Sequence, residues 1–155
     1  MTTTATATMA FTTGHIGLNV SDLARARDFY RAIFGFEVLS ESSEPGREFV
    51  FLGQPGVIVL TLWRQSSGAF AKDRPGLHHL SFQVDSIDRV REAERRLLER
   101  GAVIHHGGIV PHAEGRSSGG VFFEDPDGIR LEIFTATGVG DHAAPHGAAP
   151  TCGFF

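Results

Sequence analysis

The sequence predicts an α+β protein made of two tandem βαβββ modules. Three observations predict it. Apolar residues recur with period two in some stretches and at helical spacing in others. The order strand, helix, three strands can be read twice along the chain. Each helical stretch ends at a glycine, Gly35 and Gly101, at the same place in the two readings.

The first strand is His15-Ile-Gly-Leu-Asn-Val20, in which apolar residues occupy every second position. Ser21 is the expected N-cap of a helix that carries Leu23, Ala26, Phe29, Tyr30, Ile33 and Phe34 along one stripe. Strands follow at about 36–42, 47–53 and 57–63, divided by the turn formers Glu44-Pro-Gly46 and Gly53-Gln-Pro-Gly56. The second module restarts at His79-Leu-Ser-Phe-Gln-Val84 with the same alternation. Ser86 is its cap, and Ile87, Val90, Ala93, Leu97 and Leu98 form the apolar stripe of its helix. Strands are expected at about 102–106, 119–124 and 129–135, the last two joined by the turn Asp125-Pro-Asp-Gly128. The modules, about 13–63 and 77–135, make one domain over 11–137. Residues 1–10 are Thr/Ala low complexity, and 138–155 are rich in Gly, Ala and Pro without a period. Both read as flexible tails, with Phe154-Phe155 the apolar pair able to dock.

Bulk properties exclude several classes. A chain of 155 residues is long enough for one compact core. A net charge of −4 without a Lys/Arg run gives no attraction to nucleic acid. The longest apolar stretches, such as Val57–Trp63, are too short to cross a bilayer. The opening residues lack the basic and apolar parts of a secretory signal. Cys152, the single cysteine, has no internal disulfide partner, which fits a cytoplasmic protein. Eight histidines direct attention to a metal site.

Strand alternation decides which side chains meet. Ile16, Leu18 and Val20 share one face of the first strand, and His15, Gly17 and Asn19 the other. Leu80, Phe82 and Val84 likewise oppose His79, Ser81 and Gln83, and Leu131 and Ile133 oppose Arg130, Glu132 and Phe134. If the apolar faces pack on the helices, the remaining face collects His15, His79 and Glu132. A wet polar face would account for any one of these alone. The two histidines, however, hold the same position in both modules, and two imidazoles with one carboxylate leave open coordination positions on an ion. By the same parity Asn19, Thr61, Trp63, Ser81, Gln83 and Phe134 line a substrate pocket. His78 falls on the helix-facing side. His105 and His106, consecutive residues pointing apart, read as loop or strand edge.

The stretch from His15 to Val38, which opens His15-Ile-Gly-Leu-Asn-Val20 and runs through Phe29-Tyr-Arg-Ala-Ile-Phe-Gly35, resembles the opening module of the vicinal oxygen chelate superfamily. Phe123-Glu-Asp-Pro-Asp-Gly-Ile-Arg-Leu-Glu132 resembles its closing module. The resemblance covers about residues 13–135 and implies a half-open barrel of mixed sheets, glyoxalase/dioxygenase-like, around one divalent ion. It places the ligands at His15, His79 and Glu132, and it implies a small-molecule substrate and a homodimer.

Departures from family patterns narrow the chemistry. Glyoxalase I resembles this chain in length but has a glutamate ligand on the fourth strand of its first module, and methylmalonyl-CoA epimerase has a glutamine there. Pattern alignment puts Val59 at that point. Fosfomycin transferases have a threonine two residues after the first histidine, where this chain has Gly17. The ligand set is most similar to that of extradiol dioxygenases, which favours Fe²⁺ over Mn²⁺, Ni²⁺ or Zn²⁺. Those enzymes add a histidine and a tyrosine before the closing strand. His112 lies near the first place, as a candidate catalytic residue, although on its own it reads as an exposed loop histidine. Phe122 stands at the second and becomes a pocket residue. The competing expectation is a metal-free antibiotic-binding protein of the bleomycin-resistance type.

Overall fold

The computed structural model describes residues 10–155. The expected N-terminal tail thus lies, apart from its last residue, outside the described residues. The first module contains β1 (Ile16–Asn19), α1 (Leu23–Phe34), β2 (Glu37–Ser42), β3 (Phe49–Gln54) and β4 (Val57–Trp63). The second contains β5 (Leu80–Val84), α2 (Ile87–Glu99), β6 (Val110–Pro111), β7 (Gly119–Glu124) and β8 (Arg130–Thr135). Each makes a four-stranded mixed sheet of the same topology, β1-β4-β3-β2 and β5-β8-β7-β6. The outer strand that opens each module runs parallel to the last one, β1 along β4 and β5 along β8. The duplication expected from the sequence is therefore present in strand order, and neither sheet closes on itself. Among the described residues no helix is long and apolar enough to cross a membrane.

Two local expectations need correction. Asp22 rather than Ser21 caps α1, its side chain accepting a hydrogen bond from the Arg25 amide at 2.9 Å. Ser21 is drawn away by Asp127, which receives both its amide (2.9 Å) and its hydroxyl. The expected strand at 102–106 is not regular. Ile104 makes an isolated bridge to Phe123, and the regular outer strand forms later, at Val110–Pro111. The break follows from three consecutive residues with positive φ, His106, Gly107 and Gly108 (57°, 73° and 136°), which no strand can accommodate.

The amphipathic stripes of the helices hold the two modules together. Ala26, Phe29, Tyr30 and Ile33 of α1 and Val90, Ala93 and Leu97 of α2 join Leu60, Leu62, Val121, Phe123, Leu131 and Ile133 in one continuous core. Phe29 and Phe34 reach across the module boundary to Phe123 and Phe82. Each such buried side chain contributes about 1.5–3 kcal/mol. A polar lock reinforces the boundary. The buried Tyr30 hydroxyl donates to Asp125 Oδ2 at 3.0 Å, while Asp125 Oδ1 accepts from the amides of Asp127 and Ile129.

Residues 138–155, expected as a flexible tail, make specific contacts. Val139 and Thr151 are fully buried, and a 3-10 turn spans Thr151–Gly153. The Thr151 amide donates to the His112 carbonyl and its hydroxyl to the Pro111 carbonyl, both at 2.7 Å.

Candidate metal centre

Glu132 sits in the middle of β8, paired with Ser81 on one side and Phe122 on the other. This row belongs to the face away from the helices, as strand parity predicts. One step along β8, Phe134 is flanked by Gln83 and Gly120 in the same way. Glu132 is 2% exposed. His79, which leads into β5, points its Nε2 at Glu132 Oε2 from 3.7 Å. That is beyond a hydrogen bond and near the separation of two donors that each lie about 2.1 Å from one ion.

His112 is not an exposed loop residue. Its Nε2 lies 2.5 Å from Glu132 Oε1 and its Nδ1 lies 3.0 Å from the Ser118 hydroxyl. An ionised carboxylate only accepts, so Nε2 carries the proton and Ser118 donates to Nδ1. The ring also lies against Phe134, 5.2 Å between centroids. His79 and His78 share a contact of 2.8 Å between their Nδ1 atoms, in which one must donate. If His79 donates, its Nε2 lone pair faces the Glu132 carboxylate, an arrangement that repels unless a cation lies between. Burial pushes the His79 imidazole below its ordinary value against the opposing pull of Glu132, so it is neutral at neutral pH, the state that binds metal. Cys152 also feels Glu132; burial first, and then that charge, push its thiol up.

The first sheet carries the other half of the predicted site. His15 is exposed and precedes β1. Among the described residues no three His, Cys, Asp or Glu side chains converge closely enough to hold an ion. One chain thus brings His79 and Glu132 together and adds His112, but does not bring His15 to them. The pocket residues divide likewise. Ser81, Gln83, Phe122 and Phe134 stand with Glu132, whereas Asn19, Thr61 and Trp63 stand on the first sheet. There Asn19 Oδ1 accepts from the Gln65 amide at 2.8 Å, and Trp63 Nε1 donates to Thr61 Oγ1 at 3.1 Å. Trp63 packs with Phe49 and Phe51 in a half-buried aromatic patch.

The register corrects one alignment. Ile16 pairs with Leu60 as Leu80 pairs with Leu131, so the counterpart of Glu132 is Thr61, not Val59. By simple alternation Val59 and Thr61 would share a face, but the β3–β4 register shifts at Val59, which packs against the core instead. The consequence for ligation is unchanged, since the first module offers no carboxylate there. Sequence reading also missed that His78, His105 and His106 gather near His79. Phe155 is the residue they share, with ring centroids 5.4–6.4 Å from all four.

The model of the Glyoxalase/Bleomycin resistance protein/Dioxygenase superfamily matches residues 12–133. The chain belongs to that superfamily. Within it, the chain is similar to the uncharacterized protein YaeR of Escherichia coli K12, 32% identical over 128 residues, covering 77% of this chain and 92% of YaeR. A crystal structure of a glyoxylase/bleomycin resistance protein/dioxygenase domain from Frankia sp. EAN1pec superposes with a TM-score of 0.69 at 26% identity, covering 83% of this chain and 99% of that one. The fold is shared with a mutant of the fosfomycin resistance protein FosX from Listeria monocytogenes (TM-score 0.64, 22% identity, 83% and 95% coverage), complexed with Mn(II) and 1S,2S-dihydroxypropylphosphonic acid. The superfamily's name joins glyoxalases, bleomycin resistance proteins and dioxygenases, and the Mn(II) is a property of the FosX complex.

Proposed function

We propose that this superfamily member is a divalent-metal-dependent enzyme acting on a small organic molecule that offers two adjacent oxygens to the ion. Dioxygenase-like chemistry with Fe²⁺ is favoured over the Mn²⁺, Ni²⁺ or Zn²⁺ alternatives. The observation that carries the reading is the buried Glu132 carboxylate, 3.7 Å from the His79 Nε2, on a face that the helices leave free. Among the described residues Glu132 has no lysine or arginine partner, and a carboxylate so buried costs free energy that a cation offsets. The donors fit such an ion: one neutral imidazole, one carboxylate, and His15 as the third.

Because His15 stands on the other sheet, we assign the third ligand to a second copy of the chain. Two copies related by a two-fold axis would place the first sheet of each against the second sheet of the other, making two equal sites. Thr61, Trp63 and Asn19 of one copy would then face Phe122, Phe134 and Gln83 of the other.

Held by His79, Glu132 and the second copy's His15, a divalent ion would supply Lewis-acid chemistry toward adjacent substrate oxygens and, as Fe²⁺, redox chemistry toward O₂. The chain's own residues do the rest. His112 holds Glu132 in place through Nε2–H, and Ser118 fixes the tautomer that lets it do so. Phe122 and Phe134 wall the site and exclude water. Phe122 has no hydroxyl, so it offers the substrate no hydrogen bond.

The deciding experiment pairs two screens on purified protein: oxygen uptake with catechols and Fe²⁺, and conversion of the methylglyoxal–glutathione adduct with Ni²⁺ or Zn²⁺. Catechol-dependent oxygen uptake is expected. Ordinary enzymatic turnover of the glutathione adduct would overturn the dioxygenase reading. Tight ligand binding with no retained metal would replace it with the metal-free binder.

A further inference from the structure

The C-terminal segment lies across the face that the proposed site uses. It leaves β8, buries Val139, whose amide donates to the Ser117 carbonyl at 2.9 Å, and takes a hydrogen bond from the Glu114 amide at the Gly147 carbonyl, 2.7 Å. Thr151 then fixes it to Pro111 and His112. These anchors lie at Pro111, the end of β6, and in the segment from there to β7, which carries His112. Beyond Thr151 the chain turns over the second sheet. The Phe155 ring stacks edge-on against Phe122, the residue beside Glu132, with centroids 4.9 Å apart. It also lies 5.5 Å from the His79 ring, and the Arg130 guanidinium stands 6.0 Å from its centroid. Phe122, His79, His105 and Arg130 thus form a cradle around one flat ring, and that ring belongs to the chain itself.

We propose that residues 138–155 are a strap that shields the His79–Glu132 face, with Phe155 seated in the cradle, and that a ligand or second copy gains this face only as Phe155 leaves it. The anchors differ in kind. Thr151 and Val139 are fully buried, so the strap's root is part of the fold, whereas Phe154 is exposed and Phe155 only partly covered. Opening therefore involves the last few residues, pivoting on the 3-10 turn at Thr151–Gly153. The shielding rests on the proposed metal site for its purpose, but not for its existence.

Cys152 is the chain's one cysteine and sits in that turn, so its reaction with a chromogenic disulfide reagent reports strap opening. Phe155→Ala removes the seated ring, and Thr151→Val removes the hydroxyl bond to Pro111 while keeping the side-chain shape. Both variants are expected to label at Cys152 about tenfold faster than wild type or more, with cooperative melting retained. Mn(II) titration of the same proteins is expected to show tighter binding to Phe155→Ala than to wild type. Equal labelling rates in wild type and a folded variant overturn the strap; if Phe155→Ala fails to fold, Thr151→Val alone decides. Faster labelling with no Mn(II) binding in any protein upholds the strap and overturns the metal reading instead.

Discussion

Among the described residues Glu132 has one hydrogen-bond partner, His112, and almost no solvent. This makes its charge the most sensitive feature of the site. Glu132→Gln keeps the shape and removes the charge, so the metal-free variant should melt at the same temperature as wild type or higher. Added divalent metal at a hundredfold excess over Kd should stabilise wild type by about 2.7 kcal/mol and leave the variant unchanged. Equal stabilisation of both by metal would remove Glu132 from the ligand set. His106 gives a separate test with a definite sign. Burial, followed by the nearby His146 and His105, lowers its pKa from the ordinary value of 6.5. The unfolded chain then binds the proton more readily, so stability present above about pH 6.5 is lost as pH falls below it. Urea midpoints at pH 7.5 and 5.5 should differ less in His106→Asn, which tolerates the left-handed backbone, than in wild type. A pH dependence unchanged by the substitution would refute this. Much at this scale was readable in advance. Alternation alone put Glu132 and His79 on one face, since a period of two leaves no choice. The bond from His112 to Glu132 was not readable, because it joins a loop to a strand through tertiary packing.

Among the elements, the turn Asp125-Pro-Asp-Gly128 does more than reverse the chain. Its two carboxylates bind the other module, at Tyr30 and Arg25 of α1 and at Ser21 just before it. The turn itself is evident from its residues, but nothing local shows that it reaches a helix about a hundred residues earlier, and so Ser21 looks like a cap in the sequence. Tyr30→Phe leaves Asp125 without one donor and should cost about 1–3 kcal/mol, and Asp125→Ala, which strands two amides as well, should cost more. Denaturant titration checks the order; a Tyr30→Phe variant as stable as wild type would show that the lock adds nothing to the apolar boundary. Two-residue register and irregular strands were the other elements the sequence concealed. Val59 and Thr61 are equivalent in pattern and are separated by the pairing of β1 with β4 and by the register shift of β3 at Val59. The pairing of 103–105 with β7 survives as single bonds, such as His105 N to Phe122 O at 2.8 Å, where glycines prevent a continuous ladder.

At the scale of the molecule, the two sheets share one core on their inner sides and divide the predicted site between their outer ones. A site completed by a second copy makes a quantitative prediction. His15→Ala and His79→Ala should each lose metal binding when pure. Unfolded together and refolded, they should regain about a quarter of the wild-type sites, because half of the pairs are mixed and each mixed pair has one intact site. No recovery would place His15 outside the site or the site within one chain. Sequence symmetry pointed to both histidines without indicating whether they belong to one copy or two. That distinction lies in how the helices pack, which is not a periodic property.

The aromatic patch on the first sheet has an optical consequence. Trp63 is the chain's single tryptophan and the lone tyrosine, Tyr30, is buried and bonded to Asp125, so long-wavelength emission comes from one half-buried indole. If a second copy covers that patch, dilution should shift the emission to the red as water returns to the ring. The concentration at the midpoint of the shift then reads the affinity of self-association without any label.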